Sequence, residues 1–351
     1  MPKASGTSKP NTRASTIDGE PVPTAEEWAR LFRAALEYKE LAPWRWMSDI
    51  DLVAVHDPES QSVAYCSVFG DAGEVFGLGV YPGSEGLECY LRQASGEPVD
   101  LARQLAILAS FEDREALDAS DRQTIASLGL KLRGRKAWPQ FRSFRPGYYP
   151  WHLVGWEARM VATALEQVAV AATLLRHRRA EDGQAAGELL LTRRPDRAGS
   201  WNTFWEDFPD PPQSPRKPPK PDPVRIAAVS QIARRTQLTW EVGLFEIPAP
   251  VRQAGRRPYL PVIWICTDAD SGFVFHAEIV ESWRTDPELQ EGLLRVMLAS
   301  RIRPRRILVA DDRSWALAGP VALALGTHIQ RVRRLPRYSQ AARSLTAALI
   351  R

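Results

Sequence analysis

The sequence predicts an α/β (α+β) protein of two units: an N-terminal antiparallel meander with helices and a C-terminal mixed sheet covered by helices. Three observations carry this. Residues 209–223, P-D-P-P-Q-S-P-R-K-P-P-K-P-D-P, hold too many prolines for a helix or a ladder and read as a stiff, solvated spacer. Before it, three short apolar runs follow one another with only turn residues between them. After it, a hairpin pattern gives way to alternating helix and strand patterns. The expected boundaries are a disordered tail at 1–23, an N-terminal α+β domain at 24–208, a Pro-rich linker at 209–223 and a C-terminal α/β domain at 224–351.

The elements follow in order. Thr24-Ala25-Glu26-Glu27 is a capping box, and the helix it opens repeats Trp28, Leu31, Phe32, Ala35 and Leu36 on one face. Strands are expected at 52–56, 63–69 and 75–81, separated by D-P-E-S and G-D-A-G turns. Ser84 is positioned to cap a helix reaching Ala94, a strand follows at 107–111, and Ser120-Asp121-Arg122-Gln123 reads as a second capping box. A long amphipathic helix is expected from Trp156 to His177, and short strands at 189–193 and 201–205 close the unit. Beyond the linker come helix 224–234, strand 238–247, a hairpin of 260–267 and 273–280, helix 287–300, strand 306–310, helix 314–325, strand 328–332 and helix 338–350.

Bulk properties narrow the class. The 351 residues are 44% hydrophobic and 25% charged, enough for two buried cores and too apolar for disorder. No uncharged apolar run reaches the ~20 residues of a membrane span, and the Pro/Ser/Thr-rich start has no apolar signal core. Cys66, Cys89 and Cys266 are sparse, odd in number and without C-x-x-C spacing, which argues against disulfides or a zinc knuckle and for a reducing cytoplasm. Residues 224–351 carry about 19 Lys/Arg against about 11 Asp/Glu, while residues 1–208 carry about 24 against about 29. The basic character belongs to the C-terminal unit. It admits an anionic partner, although surface arginines also serve solubility alone.

Several stretches together resemble a family of bacterial proteins built from two uncharacterised modules joined by a variable linker. They are P-W-R-W-M (43–47), V-Y-P-G-S-E-G-L (80–87), S-F-E-D-R-E-A-L (110–117), R-G-R-K-A-W-P-Q-F-R-S-F-R-P-G-Y-Y-P-W (133–151) and A-L-E-Q (164–167). In the C-terminal unit R-P-Y-L-P (257–261) and D-A-D-S-G (268–272) complete the set. The resemblance implies no activity, cofactor or catalytic residue, so function rests on side-chain chemistry.

The most site-like stretch is 131–152, which contains no acidic residue. Lys131, Arg133, Arg135, Lys136, Arg142 and Arg145 interleave with Trp138, Phe141, Phe144, Tyr148, Tyr149 and Trp151. Guanidinium groups grip phosphate or carboxylate, and aromatic faces stack on bases or on the arginines. The same residue types anchor protein interfaces. The plainer reading is a proline-pinned loop whose aromatics pack on the domain and whose arginines cover it.

A second constellation lies in the C-terminal unit, whose element order is close to a ribonuclease-H-like fold. Such enzymes hold two metal ions ~4 Å apart on carboxylates at adjacent strand ends. Asp268 and Asp311 or Asp312 are the candidate magnesium ligands, with Glu288 or Glu291 as a third. Turn formation alone explains Asp268-Ala269-Asp270-Ser271-Gly272, and the last helix carries no acid. His56, His152, His276 and His328 show no zinc spacing, Cys66 sits in a strand pattern that favours a packing role, and Gly77 and Gly79 suit close packing in a sheet better than a phosphate loop.

The function expected from sequence is thus a non-enzymatic binding or scaffold protein without cofactor. It would use Arg133, Arg135, Trp138, Phe141, Arg142, Arg145, Tyr148, Tyr149 and Trp151 toward a protein or anionic partner, with no membrane. The alternative is a nucleic-acid-processing or nucleic-acid-binding factor with an active, magnesium-bearing or degenerate ribonuclease-H-like module.

Overall fold

The structure is a computed structural model and describes residues 15–97, 101, 103–182, 189–209, 220–247, 249–281 and 286–349. Most of the expected linker (210–219) and of the expected tail (1–14) lies outside the described residues. The rest of that tail is a hairpin, not disordered chain. β1 (Thr16–Ile17) pairs with β2 (Glu20–Pro21) across Asp18-Gly19, both with positive φ. Asp-Gly is the turn dipeptide that such a two-residue connection requires.

The capping box at Thr24 forms in both directions. Its hydroxyl accepts the Glu27 amide at 3.2 Å, and the Glu27 carboxylate accepts the Thr24 amide at 2.7 Å. Helix α1 (Ala25–Leu41) follows and buries Leu31, Phe32, Ala34, Ala35 and Tyr38. β3 (Val53–His56), β4 (Val63–Phe69) and β5 (Phe76–Pro82) are the expected meander. In β5 only glycine fits at 77, since a Cβ there would lie 2.1 Å from the Ala109 carbonyl oxygen of the next strand. Helix α2 (Gly83–Ala94) starts after Pro82 without a side-chain cap, so Ser84 does not play the expected part. β6 (Ala106–Glu112) leads to α3 (Ala119–Ser127), whose cap is Asp118 answered by Asp121 rather than Ser120 and Gln123.

The stretch expected as an extended loop contains a strand, β7 (Trp138–Phe144), hydrogen-bonded to β6. It alternates, with Pro139, Phe141 and Ser143 inward and Trp138, Gln140, Arg142 and Phe144 less buried. It is the sheet's edge strand, where the missing proline N–H breaks no ladder. Helix α4 (Gly155–Asp182), then β8 (Leu189–Pro195) and β9 (Trp201–Asp207), complete a sheet of order β7-β6-β5-β4-β3-β8-β9, antiparallel except where β3 meets β8. One face packs on α1 and α4 around Leu78, Val80, Phe111 and Leu165. A smaller cluster around Leu87, Tyr90 and Leu190 gathers α2 with strand residues. Within α4, Gly155–Arg178 is long and apolar enough to cross a membrane, yet 61% of that window is buried, and it serves as the core helix of this half.

The C-terminal half begins with α5 (Pro223–Ile232), capped by Asp222, and β10 (Arg234–Arg235). β11 (Thr239–Glu246), β12 (Pro261–Asp268) and β13 (Val274–Glu281) form an antiparallel trio. After α6 (Asp286–Ser300) and the short β14 (Ile302–Arg303) come β15 (Arg306–Val309), α7 (Asp312–Leu325), β16 (His328–Arg331) and α8 (Pro336–Leu349). The sheet order is β13-β12-β11-β15-β16, with β11, β15 and β16 parallel. This 3-2-1-4-5 order is that of a ribonuclease-H-like sheet, and β11, the strand expected at 238–247, is its central strand. Trp240, Val242 and Ile307 face α5, α6 and α7, while Ile263 and Ile265 face Ala342 and Tyr338 of α8.

The halves have separate apolar cores but touch through backbone. Tyr149 N donates to Pro258 O at 2.9 Å, Leu260 N to Gly147 O at 3.1 Å, and Asp18 N to Gly255 O at 3.2 Å.

Candidate functional site

The arginine-aromatic stretch is divided among three environments. Phe141 is buried, its ring edge-on to Phe32 at 5.2 Å. Lys136 pairs with Glu112 at 3.0 Å, Arg142 with Asp121 at 2.6 Å, and Arg145 with Glu20 at 2.6 Å. Arg133 and Arg135 are exposed, and Trp138 is half-buried beneath the Arg114 guanidinium. Tyr148, Tyr149 and Trp151 lie against the 251–260 segment: Tyr148 bridges Tyr259, and Arg252 stands over the Trp151 ring. Two of the stretches singled out in the sequence, 133–151 and R-P-Y-L-P, thus meet each other.

At their meeting point is a buried charge cluster. Glu157 sits in the first turn of α4 and accepts from Ser143 Oγ at 2.6 Å, Val154 N at 2.9 Å and Arg145 Nε at 3.0 Å. Arg257 Nη2 reaches its Oε2 at 3.5 Å, with side-chain exposures of 0% and 1%. The Asp18 carboxylate takes the Arg257 amide at 3.3 Å and stands 3.8 Å from its Nε. Arg257 Nε and Nη1 have no hydrogen-bond partner, so their desolvation is only partly offset. Burial accordingly pushes the Arg257 pKa down, and Glu157 opposes this. The sequence reading missed Glu157, Glu20, Asp18 and Arg257 as a group. The available signal was that Glu157 is the first acid after a long acid-free stretch, beside a motif already marked.

A second polar cluster stands beside it. His152 Nε2 lies 3.3 Å from Asp118 and Nδ1 3.8 Å from Asp121, a grouping compact enough to hold a cation. Arg142 already occupies it, donating to Asp121 at 2.9 and 2.6 Å and to Asp118 at 3.1 Å. Burial lowers the His152 pKa, with the Arg142 charge adding to it against the two aspartates. A metal would have to displace the guanidinium.

Asp268 and Asp311, the candidate magnesium ligands of the alternative reading, do not converge. Asp268 lies beside Trp240 at the start of β11, whereas Asp311 follows the far end of β15, level with Leu244. Four residues along and two strands across put their backbones roughly 15 Å apart. Asp268 Oδ2 accepts Ser271 N at 2.9 Å and Ser271 Oγ at 2.5 Å, closing the turn. Asp311 caps α7 through Ser314 N at 2.7 Å. On β11, the residues level with Ala310 and Asp311 are Gly243 and Leu244, neither an acid. The space over Gly243 is filled by the Tyr338 ring, 2.8 Å from where a Cβ would stand. Burial raises the Tyr338 pKa, with the Asp311 and Glu246 charges adding to it, which places this tyrosine among the carboxylates of that sheet end. Glu241, the nearest acid on the Gly243 face, is buried and accepts the Tyr338 amide at 2.7 Å. Glu288, the other candidate third ligand, has a side chain outside the described residues, and Glu291 pairs with Arg225 at 3.2 Å.

Residues 28–193 match the model of a domain of unknown function, DUF7309, and residues 225–346 match that of another, DUF6930. The two matches fit a family built of two uncharacterised modules. Both marked stretches fall inside these modules, so the junction described above joins the DUF7309 module to the DUF6930 module. No curated protein matches the chain. Among solved structures, the catalytic core domain of BIV integrase is 15% identical over 32% of this chain and 66% of that one, with a TM-score of 0.20. The chain therefore spans just under two thirds of that structure.

Proposed function

We propose that this is a non-catalytic, cytoplasmic binding protein whose two modules are clasped together by the arginine-aromatic segment. The observation that carries the reading is Tyr338 over Gly243: the β11 positions level with Ala310 and Asp311 are Gly243 and Leu244, the ring takes the space over Gly243, and Glu241 on the same face is taken up by the Tyr338 amide. Without paired carboxylates at adjacent strand ends, the DUF6930 module lacks the scaffold for two-metal phosphodiester attack. A cytoplasmic setting is supported by Cys66, Cys89 and Cys266, all free and buried.

The segment 133–151 supports binding in two ways. Gly147–Trp151 recognises the 251–260 strip of its own chain, and the outward part, Arg133 and Arg135 beside Trp138, is left for a protein or anionic partner. Trp and Arg are the side chains that most often anchor such contacts.

The test is a cleavage assay with labelled RNA and DNA, single- and double-stranded, in magnesium or manganese. No cleavage above buffer is expected. Metal-dependent cleavage that Asp311→Asn abolishes would replace this reading with the nuclease one. In parallel, a photo-crosslinking residue at Arg135 should give a defined adduct in cells that Arg133→Glu removes.

A further inference from the structure

We infer that the C-terminal module carries a phosphodiester-binding surface made of Arg234, Arg235, Arg301, Arg303, Arg305 and Arg306, at the end of the sheet opposite Asp311. The surface is independent of the 133–151 segment.

The backbone brings these residues together. Arg234 and Arg235 form β10, which runs parallel to β14 with Arg235 level with Arg303. Arg234 N donates to Arg301 O at 2.9 Å, and Thr236 N to Arg303 O at 3.0 Å. After Pro304 the chain enters β15 at Arg306, level with Thr239, and Arg305 O accepts His328 N at 3.1 Å. Arg234, Arg235, Arg301, Arg305 and Arg306 are exposed and Arg303 is half-buried.

What distinguishes this patch is the absence of neutralisation. Elsewhere in the chain Arg30, Arg142, Arg145, Arg159, Arg194 and Arg331 each meet a carboxylate. Among the described residues, none of the six clustered arginines does. Their one side-chain partner is neutral, Gln237, which accepts from Arg305 Nη1 at 3.2 Å. Arg303 Nε is buried without an acceptor. Burial, then the charge of Arg235, lowers the Arg303 pKa, so the cluster is crowded as well as unpaired. Arg301 adds a further cost: it holds a φ of 56° after α6, where glycine is at ease and other residues are strained. Such an array destabilises the free protein and becomes favourable once an anion covers it.

The chemistry favours nucleic-acid backbone. Every basic residue from 224 onward is arginine and none is lysine, and the planar fork suits phosphate oxygens. The run 301–306 turns at Arg301, passes through β14 at Ile302–Arg303 and bends at Arg305 into β15, with β10 about 4.8 Å to the side of β14. A duplex strand presents a phosphate every ~3.4 Å, so several phosphates lie within that footprint.

The experiment uses the full chain with a labelled 20-base-pair duplex and a 20-nucleotide single strand, read by fluorescence anisotropy at 50 and 200 mM salt. Binding at 50 mM is expected, weakening by about 1,000-fold at 200 mM if six phosphates are neutralised. Arg234→Gln with Arg235→Gln and Arg301→Gly should flatten the slope of log affinity against log salt by about 3. Arg301→Gly relieves the positive φ, so folding is retained, and an unchanged melting temperature checks it. Arg33→Gln with Lys39→Gln, on α1 of the other module, should leave the slope unchanged, which shows that the effect belongs to this surface. No affinity at 50 mM, an unaltered slope in the triple variant, or equal binding to polyglutamate or to phosphatidylserine vesicles would each overturn the assignment.

Discussion

Arg257 of the C-terminal module places Nη2 3.5 Å from Glu157 Oε2 of the N-terminal module, and neither side chain reaches solvent. Glu157 has four donors while Arg257 keeps two unpartnered nitrogens, so the pair is better satisfied on the acid's side. Removing one partner of a buried pair typically costs about 3–5 kcal/mol because the other charge is left uncompensated, whereas removing both charges costs much less. Arg257→Ala should therefore lower the stability of the joined modules by that order and split the calorimetric transition in two. Arg257→Met with Glu157→Gln, which removes both charges, should keep a single transition. Equal behaviour of both variants and the parent would show that the junction does not couple the halves.

The arginines of 133–151 should sort by partner rather than by position. Arg142 is held by Asp121 and Asp118, so Arg142→Ala leaves those carboxylates without their cation and should cost about 1–3 kcal/mol. Arg133→Ala and Arg135→Ala remove exposed side chains and should stay within about 0.5 kcal/mol. Chemical denaturation of the three variants tests the order.

The C-terminal architecture was legible because each element had a local pattern: apolar runs for β11, β12 and β15, and periodic helices between them. β7 was not, because Arg142 and Pro139 hide an alternation that shows only once Phe141 and Ser143 are seen to point inward. The junction was half legible. Both partner stretches stood out in composition, but their pairing is a contact across 100 residues that no local pattern encodes. The separation of the two aspartates was hidden for a similar reason: Asp268 and Asp311 each follow a strand pattern, and only the register shows that they stand at opposite ends of the sheet.

Gly243 should tolerate nothing larger. A Cβ would stand 2.8–2.9 Å from the Tyr338 ring, which is itself half-buried against β11. Gly243→Ala should destabilise the C-terminal module by about 1–3 kcal/mol through overpacking, and adding Tyr338→Ala should recover part of that loss. A double-mutant cycle on thermal unfolding measures the coupling. Additivity would mean that the ring does not seal this end of the sheet.

Acid should loosen the N-terminal module in two stages. Burial, helped by Arg142, lowers the folded-state pKa of His152 below its ordinary 6.5 or so. The unfolded chain then takes the proton first, so the stability from neutral His152 is complete above about pH 6.5 and is lost as pH falls through the lower folded value. Asp121 and Glu20 follow. Burial acts to raise both, but Arg142 outweighs it for Asp121, and Arg145 with Trp156 for Glu20, leaving each below the usual carboxylate range. Their contribution is present above about pH 4 and disappears as pH drops through their folded values. Melting temperatures from pH 8 to pH 3 should show both steps. His152→Gln should flatten the first and Arg142→Gln the second. A melting temperature constant from pH 8 to pH 5, or a His152 imidazole titrating above 6.5 by NMR, would contradict the geometry around Arg142.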